Sequence, residues 1–219
     1  MPQITQITPQ RKRDFFNILI DGKFAFGLDA ETLVKEKLSV GRSLSDADVA
    51  NLNKVSIYSK LLNSALNFLS VRPRSKKEMS QNLKEKIYKL LGKENLDLST
   101  ELESRVLSKI ESLGYLDDKE FARWWVQQRR ESQKLCGPIL IRRELFAKGV
   151  DKAIIESALE DYGASASSVG LEEILAKKGR SLRDKTLFER RRKLYDFLLR
   201  RGFSYDIVRV SVDKYLKRA

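Results

Sequence analysis

Asp117 and Asp118 are adjacent carboxylates, the residue types that hold a divalent metal or trade protons in acid–base catalysis. Their setting gives a simpler account. Leu116-Asp117-Asp118-Lys119-Glu120 stands directly ahead of Phe121 and reads as a capping box, with acids at the positive end of a helix dipole. Cys136, the single cysteine, lies beside Gly137-Pro138 with Lys134 nearby, a setting that can depress a thiol pKa, but no base is at hand to make it a nucleophile. The chain has no histidine, so it lacks the commonest general base and metal ligand, and it has no Cys/His cluster for zinc. No phosphate-cradling glycine motif occurs. Phe121, Trp124, Trp125 and Gln128 recur at helical spacing; such rings could stack on bases, but beside capping residues they read as core. These residues point to a protein that is not an enzyme and carries neither metal nor cofactor.

Charge carries more information. Lys and Arg number 43 against 30 Asp and Glu, a net charge of +13, which favours a polyanionic partner or one with an acidic groove. The stretch from Lys177 to Arg201 holds +8 of that. A solvated helix face is usually mixed in sign, so this concentration reads as a contact surface. The candidate contacts fall in separate groups: Arg72, Arg74, Lys76 and Lys77; then Arg142, Arg143 and Lys148; then Arg190, Arg191, Arg192, Lys193, Arg200 and Arg201. The first group crowds a helix start, where cations oppose the dipole, so it needs another reason to be there. Any one of these residues taken alone could be an ordinary exposed position.

The elements that must position these groups repeat. Leu145-Phe-Ala-Lys148-Gly149-Val150-Asp151 and Leu198-Leu-Arg-Arg201-Gly202-Phe203-Ser204 share a pattern 53 residues apart. In each, a helix ends on a left-handed glycine, the next apolar residue reaches back to the Leu four before the glycine, and the residue after that caps a new helix. In the following helices Ile155, Leu159 and Tyr162 match Val208, Val212 and Tyr215, and also Val106, Ile110 and Leu113 of an earlier copy, each set on one helical stripe. Ser75 to Glu78, Gly137-Pro138 and Thr186 to Glu189 open the three middle helices, the third about one turn longer. The first copy carries an insertion near Gly92 to Leu98, and Gly163 to Gly170 reads as a linker. The expected fold is mostly α, with tandem three-helix repeats over 45–116, 117–163 and 164–219 forming an elongated curved stack.

Residues 1–44 differ in kind. Phe16, Ile18 and Ile20 alternate, Asp21-Gly22 supplies a type I′ turn, and Phe24, Phe26 and Leu28 alternate on the return, which predicts a β-hairpin. Its apolar face is expected either on a helix from near Ala30, capped by Asp29 and carrying Leu33, Val34 and Leu38, or docked on the first repeat. Ser45 caps a long helix that Arg72-Pro73 ends. The chain has no long apolar run, no secretion-like start and one cysteine, which together predict a soluble cytoplasmic protein with no membrane partner.

Leu113-Gly-Tyr-Leu-Asp117-Asp118-Lys-Glu-Phe121-Ala122-Arg-Trp, then Gly137, then Ile141-Arg-Arg-Glu-Leu145-Phe-Ala-Lys148-Gly149-Val150, closely resembles the signature of the RecX regulatory proteins, which are built of tandem three-helix repeats. Arg72-Pro-Arg74-Ser75-Lys-Lys-Glu78 is similar to that family's first-repeat opening, and the resemblance runs from about Ser59 to the C-terminus. It implies a non-enzymatic modulator of RecA recombinase that binds the RecA filament on single-stranded DNA and limits its growth, ATP hydrolysis and strand exchange, with the N-terminal hairpin an accessory. The cation groups above are then candidate recombinase or nucleic-acid contacts. A stand-alone DNA-binding protein, reading duplex DNA with the Leu145 to Tyr162 helix pair, is the alternative.

Overall fold

The computed structural model describes residues 1–11, 14–92, 96–131, 135–165 and 168–218. Three strands precede a series of helices, in two compact units: Met1–Arg72 with Met79–Tyr115, and Pro73–Glu78 with Leu116–Ala219. Among the described residues no helix is long and apolar enough to cross a membrane.

In the first unit β1 (Ile4–Pro9), β2 (Phe15–Ile20) and β3 (Lys23–Asp29) form an antiparallel sheet in that order. Asp21 and Gly22 both have positive φ, 48° and 76°, as the expected tight turn requires. The hairpin is nevertheless only part of the sheet. β1 escapes the alternation pattern because Ile4 and Ile7, three residues apart, would face opposite sides of a regular strand; a register shift between Ile4 and Gln6 turns both toward one core. A second shift, between Ile18 and Leu19, leaves Ala25 without a partner and reverses Phe24. Phe26 and Leu28 are therefore buried as expected, whereas Phe24 is 61% exposed.

Asp29 caps α1 (Ala30–Lys35), accepting from the Thr32 N–H at 2.8 Å. That helix is short: Lys37 turns left-handed (φ 50°), Leu33 and Leu38 join the sheet's core, and Val34, expected beside them, faces solvent. The Ser45/Asp48 capping box opens α2 (Asp46–Val71), which ends where Arg72 becomes extended ahead of Pro73. Ser56 donates to the Gly27 carbonyl at 2.6 Å, fixing α2 against β3. α3 (Lys76–Leu91) and α4 (Leu96–Ser112) complete the first repeat. Their lengths, 16 and 17 residues, correct the expected insertion: Gly92 stops α3, Leu96 to Leu98 already belong to α4, and residues 93–95 lie outside the described ones. Leu113 falls past the end of α4 and is exposed, unlike Val106 and Ile110 on the same stripe.

The second unit contains α5 (Asp118–Glu131), α6 (Pro138–Ala147) and α7 (Lys152–Ser165), then α8 (Ser168–Arg180), α9 (Leu187–Arg200) and α10 (Tyr205–Arg218). Phe121, Ile141, Leu145, Ile155 and Tyr162 anchor one core; Leu175, Leu194, Leu198, Val208 and Val212 anchor the other. α9 has 14 residues against 10 in α6, the extra turn expected. The linker expectation at 163–170 is corrected: helix continues to Ser165 and resumes at Ser168, and residues 166–167 lie outside the described ones.

Both glycine turns close as expected. Val150 N–H donates to the Leu145 carbonyl at 3.2 Å and Phe203 N–H to that of Leu198 at 3.3 Å, with Gly149 and Gly202 at φ 78° and 82°. Each turn also receives the start of the preceding middle helix. The Ser75 hydroxyl donates to the Lys148 carbonyl at 2.7 Å; one repeat on, the Gly137 N–H donates to the equivalent Arg201 carbonyl, also at 2.7 Å. The Ile139 N–H adds a bond to the Gly202 carbonyl at 3.0 Å. Middle helices thus meet N-terminus to C-terminus, and unpaired donors of one answer unpaired acceptors of the next.

Candidate functional site

That junction explains the cations at the start of α3. The Lys77 ammonium donates to the Ala147 carbonyl at 3.1 Å, at the negative end of α6, and the Lys76 N–H is taken by Asp118 at 2.9 Å. Asp118, expected to cap its own helix, thus caps α3, while Asp117 accepts from the Lys119 N–H at 2.7 Å and starts α5. Arg72 and Arg74 are half-buried and have contacts of their own.

The second group is also largely engaged within the protein. Arg142 grips Glu156 in a two-pronged bridge, Nε to Oε1 at 2.7 Å and the second nitrogen to Oε2 at 2.8 Å. The bridge raises the Arg142 pKa further and holds Glu156 below the usual carboxylate range. Lys148 pairs with Glu78 at 2.7 Å and sits 4.3 Å over the Trp125 ring, which the Arg129 guanidinium also approaches, at 4.6 Å. Trp125 itself donates to Glu144 at 2.8 Å. Phe121, Trp124 and Trp125 pack with one another, as the core reading of these rings expects. Arg143 alone in this group is an exposed cation with no ion pair among the described residues.

In the third group the members separate by helical phase. Arg201 is half-buried, donating to the Leu135 carbonyl at 3.1 Å and lying 4.6 Å over Phe197. Arg190 is half-buried, and its Nε has no partner among the described residues. Arg191 pairs with Asp213 at 3.0 Å. Arg192, Lys193 and Arg200 are exposed and make no ion pair among the described residues.

Sequence reasoning missed the aromatic residues beside them. Phe188 is 77% exposed and Tyr205 59% exposed, and with Tyr195, Arg191 and Arg192 they line an open cavity of about 370 Å³. The signal was present: Phe188, Arg191, Arg192 and Tyr195 stand at offsets of three, four and seven, one stripe of a helix.

Cys136 is a half-buried thiol, in no disulfide. Burial pushes its thiol pKa up rather than down, its carbonyl accepts from Tyr162, and Lys134 lies outside the described residues. Among the described residues no group of three His, Cys, Asp or Glu side chains could hold a metal ion. On α7, the helix that the alternative reading places in a DNA groove, Lys152, Ala153, Ser157 and Glu160 are exposed and Glu156 is tied to Arg142.

Four family models match successive stretches: Regulatory protein RecX N-terminal domain over residues 2–45, and the first, second and third three-helix domains of RecX over 62–89, 117–159 and 171–210. The match therefore includes the N-terminal segment, which the sequence resemblance left out. Regulatory protein RecX of Bacillus subtilis is 35% identical over 218 residues, 98% of this chain and 77% of that protein. That of Leuconostoc mesenteroides is 29% identical, covering 99% and 77%. Among solved structures, RecX from Lactobacillus salivarius aligns with a TM-score of 0.60 at 28% identity, over 73% of this chain and 96% of that one. A second, titled regulatory protein RecX, aligns over 100% of both chains with a TM-score of 0.68 at 24% identity, a likeness of fold.

Proposed function

The chain belongs to the RecX family of regulatory proteins, and from that premise we propose that it regulates RecA recombinase by binding RecA filaments on single-stranded DNA and limiting their growth, ATP hydrolysis and strand exchange. The observation that supports this reading is the outward set Arg192, Lys193 and Arg200, exposed cations that make no ion pair among the described residues, Lys193 acting on Glu189 only through its field. Arg143 is a fourth. Charges of this kind meet an acidic protein surface or a phosphate backbone, and the association they give is fast and salt-sensitive. Lys77, Arg142, Lys148 and Arg201 serve the fold first. A filament presents the same contact many times, so modest affinity per contact suffices.

The test is RecA-driven, DNA-dependent ATP hydrolysis with substoichiometric protein added. Inhibition is expected from the intact chain and weaker inhibition from Arg192→Ala/Lys193→Ala. No effect of the intact chain at any ratio would overturn the proposal.

A further inference from the structure

We propose that the face shared by α9 and α10 binds unstacked bases of a single-stranded nucleic acid, with Phe188 and Tyr205 as ring platforms and Arg192 as a phosphate contact. This deepens the reading above and rests on it. Single exposed rings are common, but Phe188 and Tyr205 lie together on one small cavity beside two guanidinium groups. Tyr195 meets Tyr205 edge to face, ring centres 6.0 Å apart, which fixes the Tyr205 ring. The Arg191 guanidinium lies 5.6 Å over Tyr195 and is anchored by Asp213 at 3.0 Å. It is thereby held as a plane, its charge partly matched. Arg192 has no such anchor, and its charge is free for a phosphate.

The lining selects the class of partner. The cavity is walled by Phe188, Arg191, Arg192, Tyr195 and Tyr205, with no aliphatic side chain and no carboxylate. A nucleobase is held by stacking on rings and guanidinium planes, and the lining supplies both. The surrounding stretch, Lys177 to Arg201, carries a net +8 and draws a polyanion toward the cavity. Packing does not account for the rings either. The starts of α3 and α6 are covered by glycine turns, but at the start of α9 Leu187 and Phe188 remain 65% and 77% exposed.

The experiment measures fluorescence anisotropy of two labelled strands of equal length, oligothymidine and an abasic phosphodiester strand, with the full chain and no recombinase. The intact chain should bind oligothymidine more tightly. Phe188→Ala should weaken that binding about 5- to 150-fold and leave the abasic strand unaffected, since base–ring stacking is what it removes. Arg192→Ala should weaken both strands alike and lower the salt slope by about 0.7. Equal affinity of the intact chain for the two strands, or an undiminished preference in Phe188→Ala, would overturn the proposal. So would displacement of oligothymidine by polyglutamate as effectively as by unlabelled oligothymidine, which would mark an acidic protein surface. Because RecA is absent, failure here is distinct from failure of the ATP-hydrolysis test.

Discussion

Gly137→Ala tests the helix-end junction with one methyl group. Gly137 has an ordinary backbone (φ −78°, ψ 163°), so alanine meets no torsional penalty there. The space is what is missing: a Cβ would lie 2.2 Å from the Gly202 carbonyl oxygen and 2.4 Å from the Phe203 nitrogen, both backbone atoms. Relief requires the junction to open, which breaks the bonds from Gly137 to Arg201 and from Ile139 to Gly202. At roughly 0.5–1.5 kcal/mol for each bond and about 1–3 kcal/mol for overpacking, the loss is on the order of 2–6 kcal/mol. Gly114→Ala is the control. It has φ 75° but no atom within 4 Å of its Cβ, so only the left-handed backbone is penalised, at about 1–2 kcal/mol. Thermal unfolding followed by circular dichroism, with Trp124 and Trp125 fluorescence reporting α5, should rank Gly137→Ala as the more damaging. An intact transition in Gly137→Ala, or a larger loss in Gly114→Ala, would refute the claim that close approach rather than backbone freedom selects this glycine.

Tyr162 is buried, which pushes its pKa up to about 12 from an ordinary 10.0. The folded chain keeps this proton while the unfolded chain releases it, so the contribution is intact below pH 10 and is lost as pH rises toward 12. Tyr162→Phe loses the hydrogen bond to the Cys136 carbonyl and should be less stable at neutral pH; the gap to the intact chain should close across that alkaline window in urea titrations. A gap independent of pH would contradict the assignment. Lys148 and Glu78, with side chains 21% and 17% exposed, form a largely enclosed pair. Lys148→Met should cost about 1–3 kcal/mol by removing the cation from the partly enclosed Glu78 carboxylate, and adding Glu78→Gln should recover part of it. Strict additivity of the two changes in a double-mutant cycle would show that the pair is not coupled.

Features that depend on a few neighbouring residues were legible in the sequence. The Thr186/Glu189 box, the Gly149 and Gly202 turns and the Pro73 stop are local, and each appears where the chain predicts it. Features that depend on register or on distant segments were not. β1 and the exposure of Phe24 follow from bulges, which alternation alone does not reveal. At the site, the cations grouped by the sequence divide in the fold into engaged and exposed ones. Lys77, Arg142 and Lys148 look like free cations in a sequence because Ala147, Glu156 and Glu78 reach them through the fold. The aromatic residues at Phe188 and Tyr205 were overlooked because Trp124 and Trp125 drew the aromatic reading to α5, where the rings are packed.

The way each middle helix satisfies its first N–H groups bears on where a partner can bind. α6 begins at Gly137 with no side-chain cap, because the Arg201 and Gly202 carbonyls supply its acceptors. α9 begins at Thr186 with a complete capping box, the hydroxyl accepting from Glu189 N–H at 3.3 Å and the carboxylate accepting from Thr186 N–H at 3.0 Å. A helix start that caps itself has no need of a neighbouring turn, so its polar groups are settled before anything docks. Leu187 and Phe188, the two residues that follow this cap, lie outside that arrangement and remain in solvent. Burying each ring or side chain elsewhere in the fold would stabilise it by about 1.5–3 kcal/mol, a gain the chain forgoes at this place. Covering them with a flat aromatic or base surface recovers that gain on binding without disturbing the cap. The start of α9 is therefore settled by its own residues, whereas that of α3, with its own Ser75/Glu78 box, also meets the Lys148 carbonyl.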